Sequence, residues 1–194
     1  MEPAIRNLAW KLNWYRQSEL EGALLLGRLV RVAPDGELIA KLMRHCADEA
    51  RHGQLWSACI SELRLPYIRI HRSYQSFFLE HGASPSSLIE VLAFTQIFER
   101  RVHKRFSEEL DASGLPAPAR ATFEVMIHDE KDHLEWVHDW LKPLPESRAL
   151  LKKYLDIDAR LYARLLPYLE RLWDITGRGE ELPAGSPTEL TPAT

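Results

Sequence analysis

Cysteine is nearly absent from this chain: Cys46 and Cys59 are the only two in 194 residues. They fall 13 positions apart on one predicted helix, too far along it to form a disulfide, and read as buried apolar fillers. No Cys-x-x-Cys pair occurs, which removes thiolate-ligated metal modules from consideration. No apolar run reaches the roughly 18 residues that suggest a membrane span. The opening Met1-Glu2-Pro3 is not a basic region leading into an apolar export segment. A soluble, cytoplasmic protein is expected. Charge of one sign is also lacking: the formal net charge is −3, with acids and bases intermixed and no basic stripe of the kind that binds nucleic acid.

What is present is apolar periodicity of helical type. The hydrophobic content is 45%, enough for one full-sized core, so a single all-α domain over residues 1–176 is expected. Residues 5–32 carry Leu8, Leu12, Tyr15, Glu19, Ala23, Leu26 and Val30 at steps of three and four, an apolar stripe with one acid in it. The spacing predicts further helices over 35–64, 86–112 and 117–142, with Asp35 as an N-cap, Pro66 as a stop and Ser84-Pro85-Ser86 opening the third. The stretch 65–85 breaks the pattern and reads as a long connection. An additional helix is expected over 146–176, kinked by Pro167, with an apolar stripe that needs the bundle or a second subunit to cover it. A homodimer is one expectation from that stripe. The Gly-, Pro-, Ser- and Thr-rich tail 177–194 reads as disordered.

One pattern occurs twice. Asp48-Glu49-Ala50-Arg51-His52 and Asp129-Glu130-Lys131-Asp132-His133 share Asp-Glu, two residues, His. On a helix, positions i and i+3 lie on one face, so each Glu and His pair presents an oxygen and a nitrogen to one point. A third copy, Glu135 and His138, is five positions beyond the second and therefore turned away by ~140°. Each of the first two has an acid upstream. Glu19 precedes Glu49 by 30 residues and Glu99 precedes Glu130 by 31. The midpoints fall on the breakers Pro34-Asp35-Gly36 and Ser113-Gly114-Leu115-Pro116. Residues equidistant from a hairpin turn share a depth, here ~22 Å at ~1.5 Å per residue, so each hairpin sets a Glu beside a Glu-x-x-His. Glu21 is the rival of Glu19, on a more mixed surface. His45, one turn before Glu49, reads as a satisfied histidine behind a ligand or in the core before a ligand itself, and His103, one turn after Glu99, as a weak candidate of the same kind.

Four carboxylates and two imidazoles, with Glu-x-x-His on two helices and a lone Glu on each of two others, form the inventory of ferritin-like di-iron bundles. Over residues 5–142 the chain resembles that superfamily, and Asp-Glu-x-x-His followed by Trp136 is similar to the fourth-helix motif of bacterioferritins and rubrerythrins. The resemblance implies a four-helix bundle with a long crossover between its second and third helices. It implies the metal ligands Glu19, Glu49, His52, Glu99, Glu130 and His133. It further implies outer acceptors, Asp48 for His133 and Asp129 for His52, with Tyr15, Trp56 and Thr95 facing the site.

Such an oxygen-rich set suits two iron ions, with manganese as competitor. The implied function is a di-iron oxidoreductase activating dioxygen, hydroxylase-like, acting with an unidentified small-molecule substrate and electron donor. A rubrerythrin-like peroxidase acting on peroxide, with a separate electron donor, is one alternative. Iron binding or storage without an organic substrate is another, and a helical interaction protein with fortuitous acids is the plainest.

Overall fold

The computed structural model describes residues 2–81 and 84–176, which form helices and turns with no strand among them. The predicted disordered tail lies outside the described residues. Helices α1 (Pro3–Leu29) and α2 (Gly36–Glu62) form one hairpin, and after a short helix α3 (Tyr74–His81), helices α4 (Leu88–Asp111) and α5 (Ala117–Leu141) form a second. Both are antiparallel: Trp56 meets Glu19 while Cys46 meets Ala23, and Phe106 meets Phe123 while Leu110 meets Arg120. Between hairpins, α1 runs against α4, with Lys11 at Glu109 and Tyr15 at Phe106. Likewise α2 runs against α5, with His45 at Trp136 and His52 at Asp129. It follows that α2 and α4 are parallel, a relation that only a long crossover permits.

Local chemistry sets the ends of these helices. Asp35 caps α2 by accepting the Leu38 N–H at 2.8 Å, as the sequence predicts. At the other end Arg64 adopts a left-handed φ of 53°. The Leu65 N–H returns to the Ile60 carbonyl and the Arg64 N–H to that of Ser61, a Schellman closure that satisfies the last carbonyls before Pro66. Gly114, at φ 80°, supplies the left-handed residue after α4 at no steric cost. The cap of α4 is Ser87, later than the predicted Ser84-Pro85-Ser86. The reason is Glu90, whose carboxylate accepts from the Ser86 N–H at 2.9 Å and from its hydroxyl at 2.6 Å.

The crossover is tied to α1 by a buried asparagine. Asn13 donates to the Pro66 carbonyl at 3.0 Å and accepts the Ile68 N–H at 2.9 Å, which satisfies backbone groups that leave helical pairing there. Tyr74, Phe77 and Phe78 are buried; Tyr74 stacks on Phe98 and Phe78 meets Phe94.

Helix α6 (Ser147–Leu165) lays its apolar face on α4 and α3, burying Tyr154, Ile157, Leu161 and Leu165. That part of its stripe is covered by its own chain, while Leu155 stays exposed. Buried Asp158 anchors it, accepting from the Tyr74 hydroxyl at 2.6 Å and the Arg101 guanidinium at 3.1 Å. The single helix expected over 146–176 does not persist. At Pro167, which has no N–H to continue the ladder, α6 gives way to a 3₁₀ turn, Leu166–Tyr168, and a one-turn helix α7 (Trp173–Thr176). This end folds back on α1 and the crossover, where Asn7 donates to Leu169 and the His71 N–H to Thr176.

Candidate metal centre

The acids that interrupt each apolar stripe converge. Glu19 from α1, Glu49 and His52 from α2, Glu99 from α4, and Glu130 and His133 from α5 are all buried. So is His45, one turn before Glu49. They form two overlapping groups: Glu19, Glu49, His52 and Glu130; and His45, Glu49, Glu99 and His133. Within each group one ligand atom per residue lies within 4.8 Å of all the others. Every predicted ligand falls in one of the two, and Glu49 in both.

The imidazoles are aimed by their remote nitrogens. His52 Nε2 lies 3.2 Å from Asp129 Oδ2, and His133 Nε2 lies 3.5 Å from Asp48 Oδ2, the pairing across α2 and α5 that the resemblance implies. Arg51 joins both acids, at 2.7 Å to Asp129 and 3.3 Å to Asp48. Each ring therefore turns Nδ1 inward. His52 Nδ1 lies 3.5 Å from Glu19 Oε2 and 3.7 Å from Glu130 Oε1; His133 Nδ1 lies 3.2 Å from Glu130 Oε2 and 3.7 Å from Glu49 Oε1. Trp56 donates its indole N–H to Glu19 at 3.3 Å.

Other residues named from the sequence stand apart. Glu21 is held by Gln17 and by the Ser73 and Ser76 hydroxyls, so it anchors the crossover. Tyr15 is corrected in part: its ring lines the space beside the carboxylates, but its hydroxyl bonds Glu109 at 3.3 Å and Arg105 at 3.4 Å. Those residues lie one to three turns beyond Glu99 and draw the phenol away. Thr95 is buried but does not line that space. Half-buried His103 and exposed Glu135 and His138 belong to neither group. Gly22, three positions after Glu19, has to be small: a Cβ there would lie 2.9 Å from Glu49 Oε2.

Burial, followed by the charges of Glu99 and Glu19, holds the Glu49 carboxyl well above its ordinary range. Burial and the Glu99 charge do the same to Glu130. Glu99 goes the other way: burial pushes it up, but hydrogen bonds from Glu130 and His45 prevail and take it to about 2. Burial and His45 bring His133 down to about 4, leaving it neutral and able to offer a lone pair at neutral pH. Burial opposes protonation of His52, yet Glu19 and Asp129 outweigh it and raise its pKa.

All four carboxylates line one mostly apolar cavity, walled by Trp14, Tyr15, Phe98 and Phe106, with about 40 Å³ open to the centre of a water-sized sphere. About 10–15 Å³ admits one water, so the space takes a few small molecules. Arg101 and Arg105 also border it but are engaged by Asp158 and Glu109.

Hydrogen bonding alone does not satisfy this cluster. His52 Nδ1 is buried with no hydrogen-bond partner, facing two carboxylate oxygens at 3.5 and 3.7 Å. Buried acids in this density are costly unless paired, and the donor set fits a hard or borderline metal ion. The fold and site therefore define a helical protein with buried carboxylate and imidazole groups able to hold metal. No protein family, no curated protein and no solved structure matches the chain.

Proposed function

We propose that this chain is a ferritin-like di-metal protein that binds two iron ions and activates dioxygen or peroxide for an oxidation. The observation that carries the reading is the pair of buried ligand groups that share Glu49. Iron ions held there would supply the electrons for reduction of dioxygen or peroxide.

The residues of the chain would divide the work. Glu19, His52 and Glu130 would hold one ion and Glu99 and His133 the other, with Glu49 common to both groups. Four carboxylate charges balance two divalent ions and leave a neutral centre in an apolar core. Asp129 and Asp48 hold the His52 and His133 N–H groups, fixing the tautomer that leaves Nδ1 free to ligate. The apolar cavity beside the carboxylates keeps bulk water out and gives a small oxidant a route to them. Its size favours a small oxidant over an organic substrate, and among the described residues the cations that border it, Arg101 and Arg105, are both paired.

Elemental analysis of protein purified without chelators tests the reading. Near two irons per chain, lost in the Glu49→Ala and Glu130→Ala double variant, together with oxygen or peroxide consumption by ferrous-loaded wild type, is the expected outcome. Wild type that holds no metal and takes up none anaerobically with ferrous iron overturns it.

A further inference from the structure

Resting on the di-metal reading, we propose that His45 is a seventh ligand, bound through Nε2 to the ion held by Glu49, Glu99 and His133, so that the two ions have unequal nitrogen coordination. Its Nε2 lies 3.0 Å from Glu49 Oε1 and 3.3 Å from Glu99 Oε1, and its side chain is fully shielded from solvent. Adjacent ligands at about 2.1 Å from an octahedral ion are about 3.0 Å apart, close to the separations of both carboxylate oxygens from Nε2. The ring stacks on His133 with centroids 3.7 Å apart, and the edge of Trp136 abuts it at 5.6 Å. Two imidazoles thus approach the same carboxylates in parallel. The other group contains a single imidazole, His52.

The competing role for His45 is that of a buried cation neutralising Glu49 and Glu99. An imidazolium must donate from both nitrogens, and His45 Nδ1 is buried with no partner. Stacking on His133, with His52 a further 5.7 Å from that ring, also sets a positive ring among other imidazoles. The Nδ1–H goes unpartnered in either role, but a neutral ring that ligates through Nε2 avoids setting a further positive charge among imidazoles. The polar pocket lined by Arg44, His45, Asp48, Asp132 and His133 gives this side of the centre contact with solvent.

The two roles predict opposite signs for the loss of His45. Apo wild type and His45→Gln are titrated anaerobically with Co(II), following the visible ligand-field bands. A ligand role gives two ions on wild type, and on the variant an unchanged first affinity, a second at least 10-fold weaker, and altered bands for that second ion. A cation role gives two ions bound as tightly or more tightly by the variant, because a positive charge has left the carboxylates, and overturns the inference. Helix content of apo His45→Gln is checked first. Should that variant not fold, His45→Ala is titrated with and without imidazole at pH 8, and recovery of the second ion by imidazole is expected, its absence counting against the inference. Wild type that binds no Co(II) removes the di-metal reading as a whole, a result separate from an intact wild type with an indifferent variant.

Discussion

Gly22 stands where any side chain would press on Glu49, the residue common to both ligand groups. Gly22→Ala puts a methyl 2.9 Å from Glu49 Oε2 and has to move that carboxylate, since the Cβ is fixed to the backbone. We expect the variant to fold, with metal affinity lowered by 10-fold or more in an anaerobic titration; unchanged affinity would show that Glu49 is not needed in its present place. Asp129→Asn and Asp48→Asn leave the ligands in place but offer a poorer acceptor to His52 and His133. Outer acceptors of this kind contribute about 10–100-fold to metal affinity, and Asp129→Asn is expected to cost more, since its contact is the shorter. At this scale the sequence was most informative where acids break an apolar stripe and repeat with hairpin symmetry. The second contact of His45 was not legible, because one histidine a turn from a glutamate has many uses and Glu99, which supplies that contact, lies on another helix. The direction of the Tyr15 hydroxyl was not legible either, since Glu109 and Arg105 decide it and local periodicity does not reveal them.

Four long helices and their turns were legible because each has an apolar stripe, a capping residue and a breaker at the expected place. The details that escaped depend on contacts between elements. The break at Pro167 arises because α7 has α1 and the crossover to dock on; an isolated helix with the same proline would only bend. Helix α3 is too short to declare itself by periodicity, and its Tyr74 finds order through Asp158 on α6. Asp158 accordingly fastens three elements at once, α3, α4 and α6, through Tyr74 and Arg101. Asp158→Ala leaves the Arg101 charge and the Tyr74 hydroxyl without their acceptor, a change that typically costs about 3–5 kcal/mol when the pair is buried. Arg101 is partly exposed, so about 2–3 kcal/mol is expected in urea unfolding, with the metal content of the folded fraction unchanged. A loss of metal in step with the loss of α6 packing would instead make the sixth helix part of the centre.

For the molecule as a whole, the carboxylate cluster sets a dependence on pH. Folded Glu49, Glu130 and His52 all titrate above their ordinary values. Each therefore contributes stability that is complete below its unfolded pKa and lost as pH rises through the folded one. His133, brought down to about 4, acts in the opposite sense, with stability lost as pH falls from about 6.5. Above pH 6.5 only the first effect operates, so the Tm of the metal-free protein is expected to fall between pH 6.5 and 8, by ~3 °C per proton and pH unit. Two bound divalent ions satisfy the same carboxylates, so the loaded protein should show no such slope and should release protons on loading, measurable by calorimetry in buffers of different ionisation heat. A metal-free Tm that rises over this interval would contradict the assignment.

The crossover that makes α2 and α4 parallel also divides the centre between two halves of the chain. One hairpin holds Glu19, His45, Glu49 and His52, and the other Glu99, Glu130 and His133. Each hairpin is built from local contacts and can form early and quickly, whereas the acids meet only when the hairpins close on one another, and like charges then resist that closure. The metal-free chain is therefore expected to open first at the seam between hairpins. Amide hydrogen exchange should find α2 and α5 exchanging together through this parting without metal, and slowing together once two ions clamp the halves shut.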